Sequence, residues 1–236
     1  MRHVAYLSFE VNNTCNLADA HCSKCPIRHP MRYRRSVERR PIHPDLIIRF
    51  WEWARFTKHF DGVVNWNLYN EPSLAIDAIR TCMAAMRSRH PGQRFLIITN
   101  SNKPFDDADQ VLRTQYGKDG GLHLLDDRMK AESGDGNYQG PGCCHRGLGF
   151  EVVIDHYGNW CLCCNDWQNE LSLGNIHTDD ADSLYLKWKV AMRLYRWTDE
   201  SQFNALPRWC RRCLSVCDLS DVSPLLRSVS RQDLLR

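Results

Sequence analysis

Eight of the chain's twelve cysteines fall between Cys143 and Cys217, as Cys143-Cys144, Cys161-x-Cys163-Cys164 and Cys210-x2-Cys213-x3-Cys217. The N-terminus, Met1-Arg2-His3-Val4, runs straight into an apolar segment and lacks a signal-peptide pattern, so a cytoplasmic protein is expected. In a reducing compartment such cysteines are poor candidates for a disulfide scaffold and good ones for metal or cluster binding. A strand-turn-strand hairpin with cysteines at both ends, followed by a late Cys-x2-Cys, makes a compact tetrathiolate frame. A structural zinc ribbon suits that spacing too. Cys82 stands apart: it lies at helical spacing among Ile76, Ile79, Met83 and Met86 and reads as a small core residue.

The rest of the chain can bury a core. It has 236 residues, 43% of them hydrophobic, enough for one medium domain or a domain with a small appendage. A net charge of +3 is too small to argue for nucleic acid. No apolar run approaches the ~18 residues of a membrane span.

Hydrophobic periodicity then sets out the elements. Val4 to Phe9 reads as a strand, and a long loop from Glu10 to Pro41 follows. Asp45 to Phe60 has the apolar spacing of an amphipathic helix, with Pro44 near its start. Val64, Trp66 and Leu68 alternate as in a strand, and Ser73 is placed to cap a helix running to about Arg89. Pro91-Gly92 ends that helix. Phe95 to Ile98 is a buried strand, Asp106 to Tyr116 a weaker helix, and Gly121 to Leu125 a fourth strand. The order is that of parallel βα units. In such folds chemistry sits in loops at the C-terminal ends of strands. The three N-terminal cysteines, Asn70-Glu71-Pro72 and Thr99-Asn100 each follow a strand, so the three loops should converge on one mouth. Residues 131–142 are polar and Gly-rich and read as a linker. Beyond them come a hairpin signal from Phe150 through Gly158 to Trp160 and a helix from about Asp180 to Trp197.

Cys15-x6-Cys22-x2-Cys25 puts three thiolates on the first loop. Three thiolates can hold three irons of a cubane and leave the fourth iron open. A zinc site completed by His21 or His29 is the alternative.

The run Phe9-Glu10-Val11-Asn12-Asn13-Thr14-Cys15-Asn16-Leu17 with Cys22-Ser23-Lys24-Cys25-Pro26 resembles the cluster loop of the radical S-adenosylmethionine superfamily. Leu68-Tyr69-Asn70-Glu71-Pro72 resembles its Gly-Gly-Glu-Pro stretch, which binds the methionine amino group, and Ile97-Ile98-Thr99-Asn100 its Thr-Asn-Gly strand end near the ribose and adenine. The second half resembles the SPASM/twitch extension that holds auxiliary clusters. Size and order are most like the twitch-type inosamine dehydrogenase.

The resemblance implies an α/β fold: a partial (βα) barrel, trimmed, over residues 1–130, the linker at 131–142, and a small Cys-rich auxiliary-cluster domain over 143–236. It implies a [4Fe–4S] cluster on Cys15, Cys22 and Cys25, S-adenosylmethionine held by Asn70, Glu71, Pro72, Thr99 and Asn100, and an auxiliary [4Fe–4S] cluster on Cys144, Cys163, Cys210 and Cys213. Leu173-Gly174-Asn175-Ile176 and the helix with Trp188 share the likeness, while Cys143, Cys161, Cys164 and Cys217 receive no role. Six residues separate the first two cysteines where the family has three. Lys24 stands where an aromatic residue is common, Asn70 replaces a glycine, and Ser101 replaces the glycine after Asn100.

The activity implied is reductive cleavage of S-adenosylmethionine to a 5′-deoxyadenosyl radical, followed by hydrogen abstraction. A two-electron oxidation of a small molecule is the favoured outcome, with the auxiliary cluster as electron acceptor and an external donor such as a flavodoxin or ferredoxin. A SPASM-type peptide maturase is the second reading, and a non-enzymatic zinc protein the reading of another class. Six arginines from Arg28 to Arg40 crowd the first cluster loop. They read as a solvated loop or as an anion site for a phosphorylated substrate. With only Tyr33 among them, a nucleic-acid surface is disfavoured.

Overall fold

The structure, a computed structural model, describes residues 1, 4–15, 40–68, 70–99, 105–113, 151–162, 169 and 172–196. Their elements are β1 (Tyr6–Phe9), α1 (Pro44–Glu52), β2 (Val63–Asn65), α2 (Ile76–Arg89), β3 (Arg94–Thr99), β4 (Gln110–Arg113), β5 (Glu151–Ile154), β6 (Trp160–Cys161) and α3 (Ala181–Arg196). The strands form one six-stranded sheet in the order β4-β3-β2-β1-β5-β6. β1 to β4 pair in parallel, β5 joins β1 in parallel, and β6 returns antiparallel to β5. The hairpin of the Cys-rich half therefore extends the N-terminal sheet.

Sequence accounts for each helix. His43 is extended and accepts the Asp45 amide at 3.3 Å through Nδ1; Pro44 and Asp45 then open α1. A π-helical turn, Trp53–Thr57, continues it. Before α2, Pro72–Ala75 forms a 3-10 turn. Its N-cap is Glu71, whose carboxylate accepts the Ser73 amide at 3.0 Å, so Glu71 takes the capping role expected of Ser73. The reason is Pro72: its fixed φ suits the first position of the turn and shifts the cap one residue before it. α2 ends at His90, ahead of a Pro91-Gly92 turn.

The expected helix from Asp106 to Tyr116 is instead a turn at Asp106–Asp107 leading into β4. Pairing decides this, because Gln110 to Arg113 lie in register beside Leu96 to Thr99, and Asp109 accepts the Phe95 amide at 2.7 Å. The expected strand at Gly121 to Leu125, the linker at 131–142 and most of the arginine-rich loop lie outside the described residues.

Strand alternation gives the sheet two unlike faces. Leu7, Phe9, Val64, Trp66, Phe95, Ile97, Val152 and Ile154 are buried on one, against the helices. An aromatic chain runs along that side. Phe95 stacks on Trp66, Trp66 contacts Phe9, and Phe9 meets Phe50 edge-on with centroids 6.1 Å apart. Phe50 meets Trp160 at 5.3 Å, and Trp160 contacts Trp188 of α3. Such aromatic pairs contribute about 0.5–1.5 kcal/mol each beyond their burial, so the chain of contacts fastens β6 and α3 to the first half. Cys82 is buried in this core as expected, and burial pushes its thiol up to about 12. The entry to β2 needs Gly62, where a Cβ would stand 2.4 Å from the Ala5 carbonyl oxygen.

Candidate active site

The C-terminal ends of β1, β2 and β3 meet at Glu71. This residue follows β2 and is 2% exposed. Its amide donates to the Thr14 carbonyl at 2.9 Å, and its own carbonyl accepts from Asn12 Nδ2 at 3.2 Å, so the loop after β1 is clamped to it. Its carboxylate accepts the Ser73 amide and the hydroxyl of Thr99, the last residue of β3. Hydrogen bonds offset the cost of burying a polar group. The result is a buried carboxyl group fixed in place.

Its neighbours are held as firmly. Asn70 is buried, and its side-chain carbonyl accepts the Leu68 amide at 3.1 Å, which closes the turn that presents Glu71. Pro72 is buried and starts the 3-10 turn. Asn67 accepts the Ile98 amide at 2.6 Å through Oδ1 and donates through Nδ2 to the Ile98 carbonyl. A side chain thereby continues the β2–β3 ladder where the backbone pairing stops, keeping the loop in register with Thr99.

Of the expected cluster ligands, Cys15 is described. It is half-buried and directly follows Thr14, the residue bonded to Glu71. Asn70, Glu71, Pro72 and Thr99 thus come together beside the start of the thiolate loop. Asn100, Cys22, Cys25, Cys144, Cys163, Cys210 and Cys213 lie outside the described residues. Asn12, Thr14 and Asn67 belong to the site although the spacing of motifs assigned them no part. Asn12 and Thr14 stand in the stretch just before Cys15, and Asn67 sits in the polar half of an alternating strand. Their backbone-directed bonds depend on strand register, which no single motif carries.

The hairpin side is built on Asp155. Its carboxylate accepts the Tyr157 and Asn159 amides, each at 2.9 Å, and the side-chain amides of Asn159 at 2.7 Å and Asn169 at 3.3 Å. Burial pushes its carboxyl up to about 7; the Asn159 side chain pulls it down, and the nearby Glu10 carboxylate pushes it up. Gly158, at φ +79°, makes the turn. Asn175 ties the turn to the segment that precedes α3, donating to the Tyr157 carbonyl at 2.8 Å and to Asn159 Oδ1 at 3.0 Å while accepting the His177 amide. That is the structural task of the Leu173 to Ile176 stretch. Cys161 is buried, with its sulfur 3.7 Å from both the Asn159 carbonyl and Asn169 Oδ1. Glu10 accepts the His156 amide at 3.3 Å, and His156 Nδ1 lies 3.1 Å from the Val11 carbonyl. The hairpin turn is thereby bonded to the first residues of the Cys15 loop. Among the described residues no helix is long and apolar enough to cross a membrane.

Comparison with known proteins bears on the fold and on the second half. Residues 143–214 match the SPASM family, an iron–sulfur cluster-binding domain; the matched segment contains Cys144, Cys163, Cys210 and Cys213 and stops short of Cys217. No curated protein matches the chain in sequence. The crystal structure of BtrN in complex with AdoMet and 2-DOIA is 16% identical, with a TM-score of 0.60, covering 88% of this chain and 92% of BtrN. BtrN in an open conformation gives a TM-score of 0.59 at the same 16% identity, covering 91% of this chain and 92% of BtrN. The chain has the fold of these enzymes over nearly its whole length, and its second half carries an iron–sulfur domain. By these matches, the chain has the fold of BtrN and carries a SPASM iron–sulfur cluster-binding domain over residues 143–214.

Proposed function

We propose that the chain reductively cleaves S-adenosylmethionine and removes a hydrogen atom and then an electron from a small molecule, so that the small molecule is oxidised by two electrons. The observation that carries this reading is the convergence of Thr14, Glu71 and Thr99, which sets a buried carboxylate one residue from the contact of the first expected cluster ligand, Cys15. An ammonium beside an iron on that loop suits the arrangement, because a carboxylate held in place by the Ser73 amide and the Thr99 hydroxyl can form a strong charge-assisted hydrogen bond to a cation. A soft thiolate set on Cys15, Cys22 and Cys25 likewise suits iron–sulfur ligation. BtrN, which shares the fold, was crystallised with AdoMet and 2-DOIA, and this supports a small-molecule substrate.

When bound, a reduced cluster with S-adenosylmethionine supplies a 5′-deoxyadenosyl radical, and an auxiliary cluster supplies an acceptor for the electron that the substrate gives up. The chain's residues bind and orient. Cys15, Cys22 and Cys25 hold the first cluster. Glu71 pairs with the methionine ammonium, and Thr99 fixes its carboxylate. Asn70 and Pro72 set the turn, and the resemblance assigns Asn100 to the ribose and adenine. Cys144, Cys163, Cys210 and Cys213 hold the auxiliary cluster. In this reading residues 1–130 form the S-adenosylmethionine half, 131–142 the connection and 143–236 the auxiliary half. A flavodoxin or ferredoxin is the electron source, and a reducing cytoplasm keeps the thiols free.

Protein purified without oxygen and reconstituted with iron and sulfide tests this. About seven to eight irons per chain are expected for two cubanes, together with release of 5′-deoxyadenosine on reduction. Stoichiometric zinc with no iron after reconstitution overturns it.

A further inference from the structure

On the face of the sheet away from the helices, Ser8 of β1, Asn65 of β2 and Glu151 of β5 form a line of hydrogen bonds. Asn65 Nδ2 donates to Ser8 Oγ at 3.1 Å, and Ser8 Oγ donates to Glu151 Oε1. The register explains the line: Ser8 pairs with Asn65 on one side, while Glu151 pairs with Tyr6, two residues back on the same face. The direction of the bonds is fixed. Asn65 Nδ2 also reaches the Asn67 carbonyl at 3.3 Å, and a carbonyl only accepts, so the amide nitrogen must face that way. The other end of the amide, Asn65 Oδ1, is buried with no hydrogen-bond partner on a residue 7% exposed.

A buried acceptor left unpaired costs about 1–3 kcal/mol. Such an acceptor within an otherwise satisfied polar line calls for an explanation. One Asn65 amide proton turns to the Asn67 carbonyl and the other to Ser8, whose own proton goes to Glu151, so what the line leaves for a ligand is acceptors: a neutral carbonyl oxygen and a carboxylate. Two of its members come from the N-terminal half, and the third lies inside the segment matched by the SPASM family.

We propose that Asn65 and Glu151, linked through Ser8, form the substrate subsite of the enzyme, taking a small polar molecule that presents hydrogen-bond donors, with a cationic group preferred by Glu151. This rests on the proposed function, and it adds that the iron–sulfur half supplies a substrate-binding side chain as well as a cluster. An anionic substrate is excluded from this subsite, because it would meet only acceptors.

Three probes on one sugar scaffold test it: glucosamine, glucose and glucuronate, titrated calorimetrically into the reconstituted holoprotein with S-adenosylmethionine present. Glucosamine should bind best, glucose roughly tenfold more weakly, and glucuronate not at all. Glu151→Gln should erase the preference for glucosamine over glucose, and Asn65→Leu should weaken both. Should Asn65→Leu fail to fold, the charge series on the unaltered protein and on Glu151→Gln still decides. If the line serves only to fasten β5 to β1, both variants will lower the melting temperature while the unaltered protein shows no charge preference, and the proposal is overturned. Binding of no probe, or a preference that survives Glu151→Gln, overturns it too. Release of 5′-deoxyadenosine by the unaltered protein is scored separately, so failure of the proposed function is distinguishable from failure of this subsite.

Discussion

The hydroxyl of Thr99, at the end of β3, donates to the carboxylate of Glu71, which follows β2. This places Glu71 under the control of two strands and a 3-10 turn. Glu71→Ala should weaken S-adenosylmethionine binding by about one to two decades, the worth of a charge-assisted hydrogen bond, at unchanged iron content. Thr99→Val should weaken it less, because the Ser73 amide still holds the carboxylate. Equilibrium binding to the reconstituted protein measures both, and unchanged affinity in Glu71→Ala removes this residue from the site. Glu71→Gln separates charge from capping, since the amide oxygen can still accept from Ser73.

Replacing Cys15, Cys22 and Cys25 together by Ala should abolish 5′-deoxyadenosine formation and roughly halve the iron. The remaining cluster should persist, because its expected ligands lie within residues 143–214. Iron analysis and product chromatography on the triple variant check this. Continued product formation would place the cleavage chemistry elsewhere.

Cys161 and Cys163 should part company. The Cys161 sulfur is buried against the Asn159 carbonyl and the Asn169 side chain. Cys161→Ser should therefore keep the second cluster, and the serine hydroxyl should retain those acceptors. Cys163→Ser should lose the cluster and with it substrate turnover, while still cleaving S-adenosylmethionine. Cys164→Ser should keep it, since the resemblance assigns the ligand to Cys163 and leaves Cys164 without a role. Electron paramagnetic resonance of the three reduced variants distinguishes them, and cluster loss in Cys161→Ser would refute the assignment.

Asp155 gives a pH signature. Its folded-state carboxyl lies near 7 against an ordinary 3.8, chiefly through burial. Below about pH 4 it is protonated in both folded and unfolded chains. Between there and about pH 7 the unfolded chain gives up the proton first, so stability from this group is lost as pH rises through the folded value. Asp155→Asn should be less stable overall, having one acceptor oxygen where the carboxylate has two. Its urea midpoint should nevertheless fall less than that of the parent between pH 5 and 8. Parallel curves would mean that Asp155 titrates alike in both states.

How much of this was legible depends on where the determining information lies. β1, β3, α1, the hairpin and α3 stand out because their own apolar periodicity matches their burial. Glu71 and Thr99 stand out because a motif and a strand end coincide. β4 does not, because four residues beginning with Gln110 carry too little pattern, and pairing with Leu96 to Thr99 settles their conformation. The cap before α2 was displaced from Ser73 to Glu71 by a single proline. Ser8 and Asn65 interrupt apolar strands visibly, yet their connection to Glu151 depends on β5 lying beside β1, a pairing between residues 145 positions apart at Tyr6 and Glu151.

That same pairing bears on how the protein can be made. As the chain leaves the ribosome, β1 finds β2 early, but its other edge stays open until Glu151 to Ile154 have emerged. Until then Leu7 and Phe9 sit on an unpaired strand edge, the kind that recruits other chains. A fragment ending in the 131–142 segment would keep that edge for good and should aggregate, whereas one extended past Cys161 should not. Glu10 and Val11, the first residues of the Cys15 loop, gain their bonds to the His156 turn only after the hairpin docks. If the proposed cluster sits on that loop, its loading should depend on completion of the second half, and nascent chains released early should carry neither cluster.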